Sequence, residues 1–150
     1  MQYSTIAAKQ VLRGADRPQA FELHGRVRIA VVDTVFAAED DKVCLVKFPA
    51  GRVRILGMSA VSAKVSGDDN VLAIGVSEHQ NSVRQLKPAN TAALLAPVKA
   101  GSVKNGANLK ASGLSGFVID SVNGFDVIAT LSAPAKVGDT ITGVILYVID

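Results

Sequence analysis

Apolar residues in this sequence recur at every second position, and stretches with that period can pack only as strands. Successive side chains of a strand point to opposite faces, so alternation marks one buried and one solvated side. The plainest case is Phe125, Val127, Ala129 and Leu131 alternating with Asp126, Ile128, Thr130 and Ser132. Val27, Ile29 and Val31 alternate with Arg28 and Ala30, and Phe36 closes that run. From Arg52 to Val65 the pattern returns, with Val53, Ile55 and Gly57 on one face and Arg54, Leu56 and Met58 on the other. Val43 to Phe48, Val71 to Val76 and Gly116 to Val122 read as shorter strands. Thr140 to Ile149 is apolar on both faces, which predicts a central, covered strand.

The segments between these runs carry turn chemistry. Glu39-Asp40-Asp41-Lys42 is a charged turn, and Pro49-Ala50-Gly51 and Ser66-Gly67-Asp68-Asp69-Asn70 are tight ones. Asn123-Gly124 predicts a hairpin, because both residues tolerate positive φ. Pro134 to Asp139 turns the chain into its last strand. Gly57 inside a strand predicts a bulge or a close backbone approach. Ser77 to Asn90 is polar and unpatterned, a long loop. Thr91 to Ala96 fits either one helical turn capped by Asn90 or a further strand, and Pro97 limits both. Gly101 to Gly113 reads as a loop with at most one edge strand.

About eight strands, frequent turns and almost no amphipathic helix predict an all-β domain, a sandwich or barrel of the jelly-roll type, over residues 25–150. No internal repeat is visible. Residues 1–24 lack alternation and read as an extended N-terminal arm, able to span ~80 Å if fully stretched. Tyr3, Ile6, Val11, Leu12 and Phe21 are more apolar than a solvated tail requires, so the arm is expected to bind something.

Composition narrows the function. Val, Ala, Leu and Ile make up most of the 49% hydrophobic residues, enough for a self-sufficient core in 150 residues. A lone cysteine, Cys44 in an apolar run, excludes a disulfide framework and predicts a buried thiol. The N-terminus has no secretory h-region, and no apolar run reaches the ~20 residues of a membrane helix, so a soluble protein made in the cytoplasm is expected. The net charge of +3 is spread along the chain without interleaved aromatics, which argues against direct nucleic-acid binding.

Catalytic constellations are not legible. His24 sits at the arm junction and His79 in a polar loop, and no serine lies in a nucleophile elbow. Turn formation accounts for the acidic clusters at Glu39 to Asp41 and Asp68 to Asn70 without calcium. Phosphate-binding loops and zinc spacings are absent, so no cofactor is expected. The one suggestive grouping is Arg26/Arg28 and Arg52/Arg54, each pair at i, i+2 and so on one face. Were the two strands neighbours, four guanidiniums would share a patch suited to acidic partners. A solvated outer face is the plainer reading of the same residues.

The stretch GRVRIAVVDTVFAAEDDKVCLVKFPAGRVRILGMSAV resembles a family of small tailed-phage virion proteins. Its marks are a strand with Arg and Asp, an acidic turn, and a hairpin that would here be Leu45 to Val53. The ending is similar too: Phe125 to Leu131, a Gly-Asp turn, and a final strand with Tyr147. The resemblance covers about 25–65 and 115–150, while 77–113 matches nothing in that family. It implies a non-enzymatic jelly-roll decoration (cement) protein on the outside of an HK97-type capsid. Its partners would be the major capsid protein and itself, as homodimer or homotrimer, at local symmetry axes. The expected docking residues are Tyr3, Ile6, Val11, Leu12 and Arg13 of the arm with Arg26, Arg28, Arg52 and Arg54 of the body. The alternatives are a carbohydrate- or receptor-binding β-sandwich on a virion, and a small hydrolase using His79.

Overall fold

A computed structural model describes residues 2–3, 27–109 and 117–149. Most of the predicted arm, with Ile6, Val11, Leu12, Arg13, Phe21, His24 and Arg26, lies outside the described residues. The described chain is all β, with one 3-10 turn at Ala100–Val103 and no α-helix among those residues.

Thirteen strands are described: β1 Gln2–Tyr3, β2 Arg28–Val35, β3 Asp40–Phe48, β4 Gly51–Ile55, β5 Ala60–Lys64, β6 Val71–Val76 and β7 His79–Gln80. The rest are β8 Leu86–Lys87, β9 Asn90–Lys99, β10 Ala107–Asn108, β11 Phe117–Ser121, β12 Phe125–Ala135 and β13 Thr140–Ile149. One sheet runs β1-β3-β12-β6-β9. In the other, β13 lies between β2 on one side and β5 and β4 on the other, with β10 and β11 beyond.

The short pieces join into longer strands. β4 and β5 pair antiparallel with successive stretches of β13, so they are halves of one strand. β10 and β11 follow β5 and β4 in the same way. The result is a four-stranded sheet, β2, β13, β4/β5, β10/β11, against a five-stranded one, β1, β3, β12, β6, β9. That order is a jelly-roll β-sandwich, as the alternation predicts.

The break between β4 and β5 is the bulge expected at Gly57. Ile145 and Leu146 of β13 face four residues, Leu56 to Ser59. Ser59, fully buried, closes it: its Oγ accepts from Leu146 N at 2.9 Å and lies 3.3 Å from Leu146 O. Its carbonyl accepts from Leu109 N at 2.8 Å. Replacing Ser59 with Ala leaves the Leu146 amide without its acceptor and should cost about 1–2 kcal/mol in urea unfolding. An unchanged midpoint would mean that the bulge does not need the hydroxyl.

Two expected hairpins prove to be corners between sheets. β3 and β4, joined by Pro49-Ala50-Gly51, lie in different sheets and do not pair, and neither do β11 and β12, joined through Asn123-Gly124. The Leu45 to Val53 hairpin is therefore a corner, because both strands find their partners elsewhere. The two corners stack. Gly124 has φ +83°, and a Cβ there would lie 2.4 Å from the Phe48 carbonyl oxygen. Phe48 and Phe125 beside them have ring centroids 5.0 Å apart, and Tyr147 packs edge-on to Phe48 at 4.8 Å.

The predicted loop Ser77 to Asn90 contains the β7–β8 ribbon. Of the two readings for Thr91 to Ala96, the strand holds. Pro97 is tolerated because β9 is an edge strand, paired only with β6 among the described residues.

Candidate docking surface

The inner faces of both sheets supply the core. Phe36, Val53, Ile55, Ile141 and Ile145 from one sheet meet Leu45, Leu72, Ile74, Leu94 and Val127 from the other. On β2 the inward residues are Ala30, Val32 and Thr34. Val27, Ile29, Val31 and Val35 therefore face outward, 51–63% exposed. This reverses the face that alternation with Arg28 suggested, since a one-residue choice of register exchanges the two faces of a strand.

The reversal separates the arginines. Arg28 pairs with Tyr147 in the inward register, half-buried at the mouth of the sandwich. Arg52 and Arg54 lie on the outer face of β4, across from Asp120 and Val118 of β11. β13 separates β2 from β4, so the strands are not neighbours and no shared patch forms from Arg28, Arg52 and Arg54. Of the arm residues, Tyr3 is placed by its backbone alone, in β1, whose parallel pairing joins Gln2 to Val43 and Tyr3 to Cys44. Gln2 Nε2 donates to the Val35 carbonyl at 2.9 Å.

What the alternation did not reveal is a continuous apolar outer face on the β13 sheet. Ile29 sits across from Leu146, and Val31 across from Val144. Val148, next along β13, lies across from Arg54. Thr142 lies across from Asp33 at the opposite end. The last strand is central, as predicted, but nothing among the described residues covers its outer face. The double Val31-Val32 was the available signal: it leaves the parity of β2 open, and only the inward Phe36 resolves it.

Groups with chemical potential are engaged in structure. His79 Nδ1 lies 3.0 Å from the Ser77 carbonyl, while the Ser77 hydroxyl accepts from Asp126 N at 2.9 Å. Asp126 in turn pairs with Lys47 at 2.7 Å, so these residues form no serine–histidine–carboxylate relay. Asp120 accepts from Ser82 N at 3.2 Å, and its carboxyl lies below its ordinary pKa, through Ser82 first and then the charges of Arg52 and His79. Asp68 and Asp69 pair with Lys104 and Lys99 at 2.6 and 2.7 Å. Among the described residues, no cluster of His, Cys, Asp or Glu could hold a metal ion. Burial pushes the Cys44 thiol up to about 12, leaving it protonated near neutrality.

No protein-family model matches this chain. No curated protein sequence matches it either. Solved structures do. A chain from the capsid of Ralstonia phage GP4 superimposes with a TM-score of 0.60 at 17% identity, covering 86% of this chain and 88% of that one. A second, from the acidic stable capsid structure of Helicobacter pylori bacteriophage KHP30, gives 0.52 at 14% identity, covering 85% and 90%. At these identities the likeness is one of fold: this chain has the sandwich found in chains of two phage capsids.

Proposed function

We propose that this protein is a non-enzymatic structural component of a tailed-phage virion, a decoration protein on the outer surface of the capsid. Made in the host cytoplasm, it ties neighbouring major capsid proteins together. The observation that carries the reading is the near full-length likeness of fold to chains of two phage capsids. The sequence resemblance at 25–65 and 115–150 agrees with it.

Physically, such a protein stabilises a shell by binding the assembled lattice better than free subunits, which is linkage by differential affinity. Interfaces of roughly 1,600 Å², repeated across a lattice, require no chemistry. The arm residues Tyr3, Ile6, Val11, Leu12 and Arg13 engage an adjacent subunit, and the body docks through Arg52 and Arg54 on the outer face of β4, with Arg26 and Arg28 as further contacts. Engaging two sites at once raises retention without any new contact.

Incubation of the purified protein with expanded capsids tests this. Saturable binding is expected, with occupancy falling at least tenfold when residues 1–20 are deleted. Unchanged occupancy removes the arm from the mechanism, and no binding by the intact chain overturns the decoration role.

A further inference from the structure

The β7–β8 ribbon is the feature that the core does not explain. Every residue at 82–91 is exposed, so this stretch adds little to the packing of the sandwich. A two-stranded ribbon is marginal by itself, yet this one is fixed in shape. Arg84 N donates to the Asn81 carbonyl at 2.9 Å, and Asn81 N to the Gln85 carbonyl at 3.0 Å. Gln85 N donates to Asn81 Oδ1 at 2.7 Å, and Gln80 Nε2 to the Arg84 carbonyl at 3.0 Å. Val122 N donates to the Gln80 carbonyl at 2.9 Å and Ser82 N to Asp120 at 3.2 Å, which ties the ribbon to the end of β11.

What this rigid turn holds out is apolar and cationic. Val83 and Leu86 are 70% and 63% exposed. Arg84 has φ +61°, a conformation that Gly or Asn takes at less cost, and its side chain makes no bond among the described residues. The charge around it is one-sided. From 79 to 119 the sequence has no Asp or Glu, but it has Arg84, Lys87, Lys99, Lys104 and Lys110. Lys99 and Lys104 are spent on Asp69 and Asp68, and Lys110 lies outside the described residues. Arg84 and Lys87 make no ion pair among the described residues. Of the flanking acids, Glu78 precedes the ribbon and Asp120 is engaged with the Ser82 amide.

We infer that this tip is a further docking element, which inserts Val83 and Leu86 into an apolar pocket rimmed by carboxylates on a partner protein, with Arg84 and Lys87 pairing to the rim. Branched aliphatic side chains find little to bury against on an anionic sugar, whereas a protein pocket offers apolar and acidic contacts together. A turn whose shape is already fixed loses little conformational freedom on docking. The inference rests on the proposed virion role for the partner's identity: the pocket belongs to the major capsid protein.

Binding of the full chain and its tip variants to expanded capsids tests this. Arg84→Gly removes the cation and relieves the positive φ, so it should melt no lower than the wild type while its capsid affinity falls about tenfold. The double variant Val83→Ser, Leu86→Ser should lose about a hundredfold at an unchanged melting temperature, since neither side chain is buried in the free protein. A carbodiimide should couple Lys87 to a carboxylate of the major capsid protein, located by mass spectrometry, and Lys87→Arg should abolish that link while keeping the affinity. Tip variants that load as the wild type does overturn the inference and leave the decoration role standing. A wild type that does not load overturns both. Binding to anionic glycans or to phosphatidylglycerol vesicles that is lost in Arg84→Gly, with capsid loading unchanged, assigns the tip to another class of partner and overturns it as well.

Discussion

Replacing Gly75 with Ala is expected to cost about 3 kcal/mol or more of folding stability, from overpacking against backbone that has little room to retreat. Val76 pairs with Asn90 and Ile74 with Leu95, so Thr91 to Leu94 of β9 arch over the single residue Gly75. A Cβ built on Gly75 would lie 1.9 Å from the Asn90 carbonyl oxygen and 2.4 Å from the Thr91 carbonyl carbon. Both are main-chain atoms, so no rotamer change relieves the collision. β9 has no second partner among the described residues, and the cheapest escape is to peel it from β6. At 2–4 °C per kcal/mol for a domain of this size, calorimetry should show a melting point lower by about 10 °C. A fall of less than ~2 °C would show that the arch moves freely.

The second large effect is expected at Asp139, a mostly buried carboxylate where three turns meet. Its Oδ2 accepts from Ser66 N at 2.9 Å and Lys136 N at 2.8 Å, and its Oδ1 from the Ser66 hydroxyl at 2.7 Å. Its carbonyl accepts from Phe36 N at 2.8 Å. The side chain thus ties the corner before β6 to the corner before β13, while its backbone holds the end of β2. Asp139→Ala strands two part-buried amides and should cost about 3 kcal/mol. Asp139→Asn keeps the shape but loses the charge, and should cost about half as much.

The same carboxylate gives a pH signature. Burial alone would raise its pKa, but the hydrogen bonds from Ser66 and Lys136 outweigh burial and hold it below the ordinary 3.8. A carboxylate with a depressed folded pKa contributes its full stabilisation above the unfolded value and loses it as pH falls through the folded one. Urea titrations should therefore show the wild type losing its advantage over Asp139→Ala only below about pH 3.8. An advantage that stays constant down to pH 2 would place the stabilisation elsewhere.

The outer face of the β13 sheet carries the exposed Ile29, Val31 and Val35 beside Val144. Exposed apolar side chains on that face cost little in the monomer and gain only when something covers them.

The strands were legible because alternation is a local property. Val43 to Phe48, Val71 to Val76, Phe125 to Leu131 and Thr140 to Ile149 all fall inside observed strands. The turns at Pro49, Asn70, Asn123 and Gly138 were legible for the same reason, since φ preferences belong to single residues. The candidate site was not. Arg28 and Arg54 share a spacing in the sequence, but whether they share a face depends on β13, which lies more than 80 residues further on and runs between their strands.

By itself the sequence determined where the chain runs straight, where it turns, and that its product is an all-β domain. Only the tertiary structure decided which sheet each strand joins, so that expected hairpins became corners, and which side of β2 turns inward. The physical reason is that a tight turn is compatible with pairing or with crossing, and a strand with apolar residues of both parities can be buried on either face. The choice falls to partners far along the chain, such as β12 for β3 and β13 for β2, whose burial outweighs any local preference.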